Sequence, residues 1–326
     1  MVSPYISVVI TAYNRKEFLK EAVDSVLQQS LDRSKFEIIV SKNFYDQELD
    51  QYLLDNNVRT IYDDSNYVGQ MIYNAVNRCN GNVISFLDDD DLFRKDKLNI
   101  VYTIFQRNDD LGYYHNQVIS IRRQNIKSRN KEPDRIGRPI YIKNPKKSDG
   151  KTIWRTNPDF NNSSISIKKE LIQPDLQEFK TCEDVYLFSK ALSSDFAVLI
   201  DSQPLTFYRL HPSTTHITGE YYLFLKRSLR YWTEHSLYIN KISVNSKNLD
   251  LQRVIKCRSI ESEIHVSLIK RNSGFLLVKY LIRLIQSHYY VRTKTVRLLI
   301  VLSCFSFFFP ELALKVYNNY INRGIL

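Results

Sequence analysis

The sequence contains only four cysteines, Cys79, Cys182, Cys257 and Cys304, and they lie far apart. There is no C-x-x-C pair and no histidine at metal-ligand spacing. A disulfide framework and a zinc site are therefore excluded as organising elements, and a reducing compartment is the expected setting. Met1-Val2-Ser3-Pro4-Tyr5 has neither the basic stretch nor the apolar core of a secretory signal, so a cytoplasmic chain is expected. Repeats and low-complexity tracts are absent. The uncharged run Leu298–Phe309 is well short of the about 20 apolar residues that a bilayer span requires.

Charge is present in quantity but unevenly placed. Residues 1–220 carry 29 Lys and Arg against 30 Asp and Glu, whereas residues 221–326 carry 17 against 5. The whole positive excess, +12, thus belongs to the last third, and this split divides the chain into residues 1–220 and a basic, helical C-terminal region, 221–326. Nucleic acid and an anionic membrane surface are the partners such a region could take. Its basic residues alternate with apolar ones and match no nucleic-acid-binding motif, so no nucleic acid is expected. The apolar run, with Lys279, Arg283, Arg292, Lys294 and Arg297 close by, reads either as a helix lying in a membrane interface or as a packed helix.

Hydrophobic periodicity assigns the first region to the α/β class. Ile6–Thr11 is a continuous β-branched run, as in a strand buried on both faces. A helix over 16–29 follows, then a strand at Phe36–Val40, a helix over 46–56 and a strand at Val58–Tyr62. The next helix spans 69–79, with Asn80-Gly81 as its C-cap, and a strand at Val83–Leu87 runs into four aspartates. This alternation predicts a parallel, doubly wound sheet, with ligands bound outside the carboxyl ends of its strands. Residues 122–151, with 11 Lys and Arg, read as a solvated loop or a grip on an anionic acceptor or diphosphate. Beyond them, Ser163–Ile167, Ala197–Ile200 and Leu205–Arg209 read as strands and 184–192 as a helix.

The sharpest chemical feature is Asp88-Asp89-Asp90-Asp91. Four adjacent carboxylates at the end of a buried strand repel one another unless a cation neutralises them. Hard oxygen donors suit Mg²⁺ or Mn²⁺ shared with substrate phosphates.

Four segments carry a family resemblance: Ser7-Val8-Val9-Ile10-Thr11-Ala12-Tyr13-Asn14-Arg15, Phe86-Leu87-Asp88-Asp89-Asp90-Asp91, Cys182-Glu183-Asp184-Val185-Tyr186-Leu187 and Tyr208-Arg209-Leu210-His211-Pro212-Ser213-Thr214. In order and spacing they resemble the opening strand, D-x-D segment, acidic E-D motif and closing segment of family 2 glycosyltransferases, over residues 4–218. The resemblance implies a GT-A fold and inverting transfer from a nucleoside diphosphate sugar, a UDP-sugar in the first instance, to a hydroxyl of a glycan or lipid-linked acceptor. It implies that Thr11, Tyr13 and Arg15 line the nucleotide pocket and that Asp88, with Asp89 beside it, contacts ribose or sugar. Asp90, Asp91 and His211 would hold the metal. Asp184 would be the general base, with Glu183 positioning acceptor or sugar. Such an enzyme would sit peripherally on the cytoplasmic face of the membrane, docked by its basic region. Two departures touch the nucleotide pocket. The Asp pair and Gly-Ser usual after the second strand are replaced by Ser41-Lys42-Asn43-Phe44-Tyr45, and the usual Arg-Asn is Tyr73-Asn74. Asn43 would then read the base and Tyr73 stack on it. The alternative is a catalytically degenerate domain that binds nucleotide or glycan as a scaffold at the membrane surface.

Overall fold

The computed structural model describes residues 3–122, 137–147, 161–210, 221–242, 249–270, 278–280, 282–283 and 294–322. The described residues through Leu210 form one compact unit, and those from Tyr221 onward form a second.

The first unit is built around β1 (Ile6–Ala12), every residue of which is buried. It pairs in parallel with β2 (Phe36–Lys42) on one side and β4 (Val83–Asp88) on the other, and β3 (Arg59–Tyr62) extends the sheet beyond β2. Helix α1 (Leu19–Leu27) buries Leu19, Ala22, Val23 and Val26, a 3.6-residue stripe laid on this sheet. Helices α2 (Gln47–Asp55) and α3 (Val68–Asn77) complete the alternation expected from the pattern. Each buried Val, Leu or Ile contributes about 1.5–3 kcal/mol, so this near-continuous apolar core dominates the unit's stability.

Beyond β4 the sheet becomes mixed. The short β5 (Leu92–Phe93) leads to α4 (Lys97–Arg107), then come β6 (Leu111–Arg122), β7 (Ile140–Ile142), β8 (Ile165–Lys168), α5 (Glu183–Ser193) and β9 (Ala197–Leu210). Strand order is β3-β2-β1-β4-β8-β6-β9-β5, with β7 on β9. Strand β8 runs antiparallel to both β4 and β6, and Ser85 Oγ and Ser166 Oγ share a hydrogen bond of 2.7 Å across the first pair. The parallel half expected from strand–helix alternation is thus present, and it is joined to a mixed half. A tight 3₁₀ turn, Asn162–Ser164, leads directly into β8 beside β4.

Three expectations change in detail. Ala197–Ile200 and Leu205–Arg209 are one strand, because register shifts on either side of the Gln117–Pro204 pair absorb Asp201–Gln203 and Leu205, an irregularity where proline's missing N–H is tolerated. Part of the segment read as a loop, Ile140–Ile142, pairs with β9; residues 123–136 and 148–151 lie outside the described residues. Helix α3 ends at Asn77, so Asn80-Gly81 is not its cap. Gly81 instead donates its N–H to Ser7 Oγ at 2.9 Å, and a Cβ there would sit 2.7 Å from the Ser7 nitrogen. Glycine is required by this close approach of two backbones.

The second unit contains α6 (Tyr221–Lys241), α7 (Leu249–Ile269), α8 (Lys294–Phe308) and α9 (Pro310–Asn322). Its core joins Cys257, Ile260, Ile264 and Leu268 to Leu299, Leu302 and Tyr317. Pro310 opens α9, a position where its missing N–H costs nothing, and so separates α9 from α8. No helix among the described residues is long and apolar enough to cross a membrane.

Candidate active site

Parallel register brings Thr11 of β1 opposite both Asp88 of β4 and Ser41 of β2, so three carboxyl ends open on one edge of the sheet. Past Thr11 the chain turns through Asn14 in a left-handed conformation, φ 53°. Asparagine tolerates this conformation better than most residues. The turn is tied to the end of β2 by reciprocal bonds: Asn14 N–H donates to Asn43 Oδ1 at 2.7 Å, and Asn43 Nδ2 donates to Asn14 Oδ1 at 2.8 Å. Asn43, assigned to base reading, therefore has its amide engaged in holding these two turns together. Tyr13 donates to Asn66 Oδ1 at 2.8 Å, and Tyr73 lies half-buried on α3. Its neighbour Asn74 donates to Asp63, a buried carboxylate just past β3, at 2.7 Å.

The four aspartates face different surroundings. Carboxylate oxygens of Asp88, Asp90 and Asp91 lie within 4.8 Å of one another. Asp89 points elsewhere and forms a two-pronged pair with Arg15, Nε to Oδ2 at 2.8 Å and Nη2 to Oδ1 at 2.5 Å. The same Nη2 lies 2.6 Å from Asp90 Oδ2. Asp91, only 1% exposed, accepts from Asn161 Nδ2 at 2.9 Å, Ser163 Oγ at 2.7 Å and the Arg209 N–H at 2.9 Å. Buried Arg209 also donates from Nε to the Asp90 carbonyl at 2.7 Å and pairs with Glu21 at 2.8 Å.

Electrostatics follow this packing. Burial, then the neighbouring carboxylates, raise Asp88 well above the usual carboxylate range. Burial and Asp90 push Asp91 up to about 7 against its three donors, and burial pushes Asp89 up to about 6 against the pull of Arg15. Burial also raises Tyr208, with Asp91, Asp90 and Asp88 adding to the effect. Burial would lower Arg15, but its carboxylate partners outweigh that and raise it. Such an array favours protonation or a cation. Closely spaced, hard carboxylate oxygens are a donor set into which Mg²⁺ or Mn²⁺ fits, and the guanidinium on Asp90 marks where positive charge is wanted.

The Glu183-Asp184 pair arrives from a different element. Gly69 allows α3 to press against the 3₁₀ turn Pro174–Glu178; a Cβ at that position would lie 2.0 Å from the Leu176 carbonyl oxygen. The chain then passes through Cys182 at φ 69° and opens α5 with Glu183. Glu183 is close enough to raise Asp88 electrostatically and is itself raised by burial. Asp184 Oδ1 accepts from Val185 N–H at 2.7 Å in the helix's first turn, where the dipole favours negative charge. His211 lies outside the described residues.

Sequence reasoning missed two parts of this site. Lys97 is fully buried and donates to the Ser163 carbonyl at 2.5 Å and Thr206 Oγ1 at 3.0 Å, beneath the turn that holds Asp91. Its spacing from Val101 and Phe105, all on the inward stripe of α4, was the available signal. Asn161 and Ser163 belong to a polar run, Asn161–Ser164, that is buried throughout. Four polar residues entering a strand could have been read as a site wall.

The family model for glycosyl transferase family 2 matches residues 7–172, just over half of the chain. A Bacillus subtilis protein described as a teichuronic acid biosynthesis glycosyltransferase, TuaG, is 33% identical over 101 residues, 29% of this chain and 39% of that protein. An uncharacterized glycosyltransferase of Nostoc is 31% identical over 116 residues, 34% of this chain and 35% of the other. The chain thus matches well under half the length of either relative. The structure of S. aureus TarS 1–349 in complex with UDP-GlcNAc superposes with a TM-score of 0.54 at 14% identity, covering 98% of this chain and 91% of that one. A mannosyltransferase from Pyrobaculum calidifontis, solved with GDP-Man and Mn²⁺, gives 0.50 at 10% identity, covering 98% of this chain and 88% of that one. At these identities the likeness speaks for the fold.

Proposed function

The chain belongs to glycosyl transferase family 2 and has the GT-A fold, and from that premise we propose that it is a metal-dependent, inverting glycosyltransferase that uses a nucleoside diphosphate sugar. The observation that carries this reading is the acidic cluster at the carboxyl edge of β1 and β4, with Glu183 of α5 within electrostatic reach of Asp88. UDP and UDP-GlcNAc are bound by the TarS neighbours, which makes a UDP-sugar the first donor to test.

In this reading Asp90 and Asp88, with Asp91 behind them, would hold Mg²⁺ or Mn²⁺, which when bound supplies positive charge to the diphosphate leaving group. Thr11, Tyr13 and Arg15 line the nucleotide side. Asn43 fixes the turn beneath the base, and Tyr73 offers it an aromatic face. Asp184 takes the proton of the acceptor hydroxyl, and Glu183 positions acceptor or sugar. One base suffices, because inversion is a single displacement. The acceptor is a glycan or lipid-linked hydroxyl.

Calorimetric titration of UDP, UDP-GlcNAc, UDP-glucose and GDP-mannose, with and without Mn²⁺, tests the reading. Metal-dependent binding retained in Asp184→Asn, with turnover reduced about a thousandfold or more, is expected. Absence of binding across the panel would leave a degenerate scaffold as the better description.

For the second unit we propose an anionic lipid surface as partner, with the protein peripheral on the cytoplasmic face of the membrane. Val301, Phe307, Phe308, Phe309 and Leu312 are exposed around the α8–α9 corner, in a region with 17 Lys and Arg against 5 acidic residues. Exposed aromatics together with basic charge favour an interfacial position.

A further inference from the structure

Arg15 is engaged with the acidic run in a way that bears on how the site loads. Its fork closes side-on upon Asp89, which is 4% exposed, and this pair is fixed by two hydrogen bonds. Its Nη2 also reaches Asp90, whose side chain stays 19% exposed and whose ligand oxygen belongs to the cluster with Asp88 and Asp91. Asp90 is therefore both the second anchor of a guanidinium and a candidate metal ligand. A divalent cation and a guanidinium a few ångströms apart on one carboxylate repel each other strongly, since few solvent dipoles can come between them.

We propose that Arg15 is the resident counter-cation of the metal-free site, competing with the divalent ion for Asp90. Metal loading then releases Nη2 from Asp90 toward the donor's diphosphate, while the Asp89 pair keeps the guanidinium anchored. This inference rests on the metal-dependent reading above and adds an order of events to it. Arginine suits both tasks, because its planar fork pairs equally well with a carboxylate or a phosphate. The cation–π contact of Arg209, 4.6 Å over Phe18, and its bond to the Asp90 carbonyl keep the loop in place during the exchange. Arg15 meets the donor directly in this scheme, and its two interactions give it two measurable effects of opposite sign.

The test uses the full chain with Mn²⁺ alone, followed by electron paramagnetic resonance of the free ion, and then with UDP at saturating Mn²⁺. Removing the competitor in Arg15→Gln should tighten Mn²⁺ binding about tenfold. The same variant should weaken UDP about tenfold or more, since its diphosphate loses a charged fork. Arg15→Lys, which keeps the charge but loses the fork, should leave Mn²⁺ affinity near wild type and still weaken UDP. As a second readout, Mn²⁺ should raise the melting temperature of Arg15→Gln by more than it raises that of the wild type. Equal or weaker Mn²⁺ binding by Arg15→Gln, with Asp90→Asn abolishing it, would overturn the competition and leave the metal reading intact. No Mn²⁺ binding by any form would overturn both, at the metal reading.

Discussion

In the first unit one set of polar side chains converges on one edge of the sheet: half-buried Asp88 and Asp90 with buried Asp89, Asp91, Lys97, Asn161, Ser163 and Arg209. In the second unit they lie along helix seams. His265 stacks on Trp232 at 3.7 Å and shares a 2.6 Å hydrogen bond with Tyr317, while His235 pairs with Ser262 at 2.7 Å. The signs differ as well, acidic at the sheet edge and basic over the helices. Convergent carboxylates raise one another's pKa values and call for a cation, as in a working site. A dispersed, neutral network only has to fill its own hydrogen bonds, so it specifies packing. Burial alone therefore does not distinguish the two networks; convergence at a strand end is what marks the candidate site.

The harshest test of that distinction is Asp90→Asn, which removes one charge from the converging set. Mn²⁺ and UDP affinity should fall about a hundredfold or more, with the melting temperature unchanged or raised, because carboxylate repulsion is relieved. Thermal unfolding beside calorimetry would settle it. A variant that loses stability and keeps its affinity would make the cluster structural.

A pH series sharpens the comparison further, because the two units should respond with opposite signs. Asp89 and Asp91 stand at about 6 and about 7, above their ordinary 3.8. Without metal, the folded unit therefore holds more protons than the unfolded chain between about pH 4 and 7, and stability falls as pH rises through that window. His265 is instead pushed down from 6.5 to about 3 by burial, with His235 adding to it. Its contribution is complete above about pH 6.5 and is lost toward pH 3, at up to about 1.4 kcal/mol per pH unit. Hydrogen exchange read separately in α7 and β4 should show α7 weakening and β4 strengthening between pH 7 and 5. Parallel responses in the two elements would remove the contrast.

How far the sequence carried the reading differs between the same regions. The buried parallel strands and Asp88–Asp91 were legible because β-branched runs and adjacent like charges are local signals. The mixed half of the sheet was not. Its key turn, Asn162–Ser164, looks like an ordinary polar loop until the Lys97 ammonium is known to lie beneath it. The partners of Asp91, Asn161 and Arg209, stand 70 and 118 residues away, and no periodicity reports such a pairing. In the second unit the composition announced helices and charge. His265 and Tyr317 are 52 residues apart and meet only through helix packing.

The smallest expected effect concerns the face that neither core uses. Phe308 is 73% exposed, beside Phe307 and Phe309, and Pro310 ends α8 there. An aromatic ring moved from water into a lipid interface contributes on the order of 1 kcal/mol, so Phe308→Ser should weaken binding to phosphatidylserine-containing vesicles about fivefold. The basic residues act over a longer range and are screened by salt, so wild-type binding should also decline as ionic strength rises. The two dependences are separable: the variant lowers affinity at every salt concentration and leaves the salt slope unchanged. A variant that binds like wild type, with the salt slope intact, would assign docking to charge alone and leave the aromatic corner to contacts between protein chains. Sedimentation of the full chain with vesicles at two salt concentrations distinguishes these outcomes.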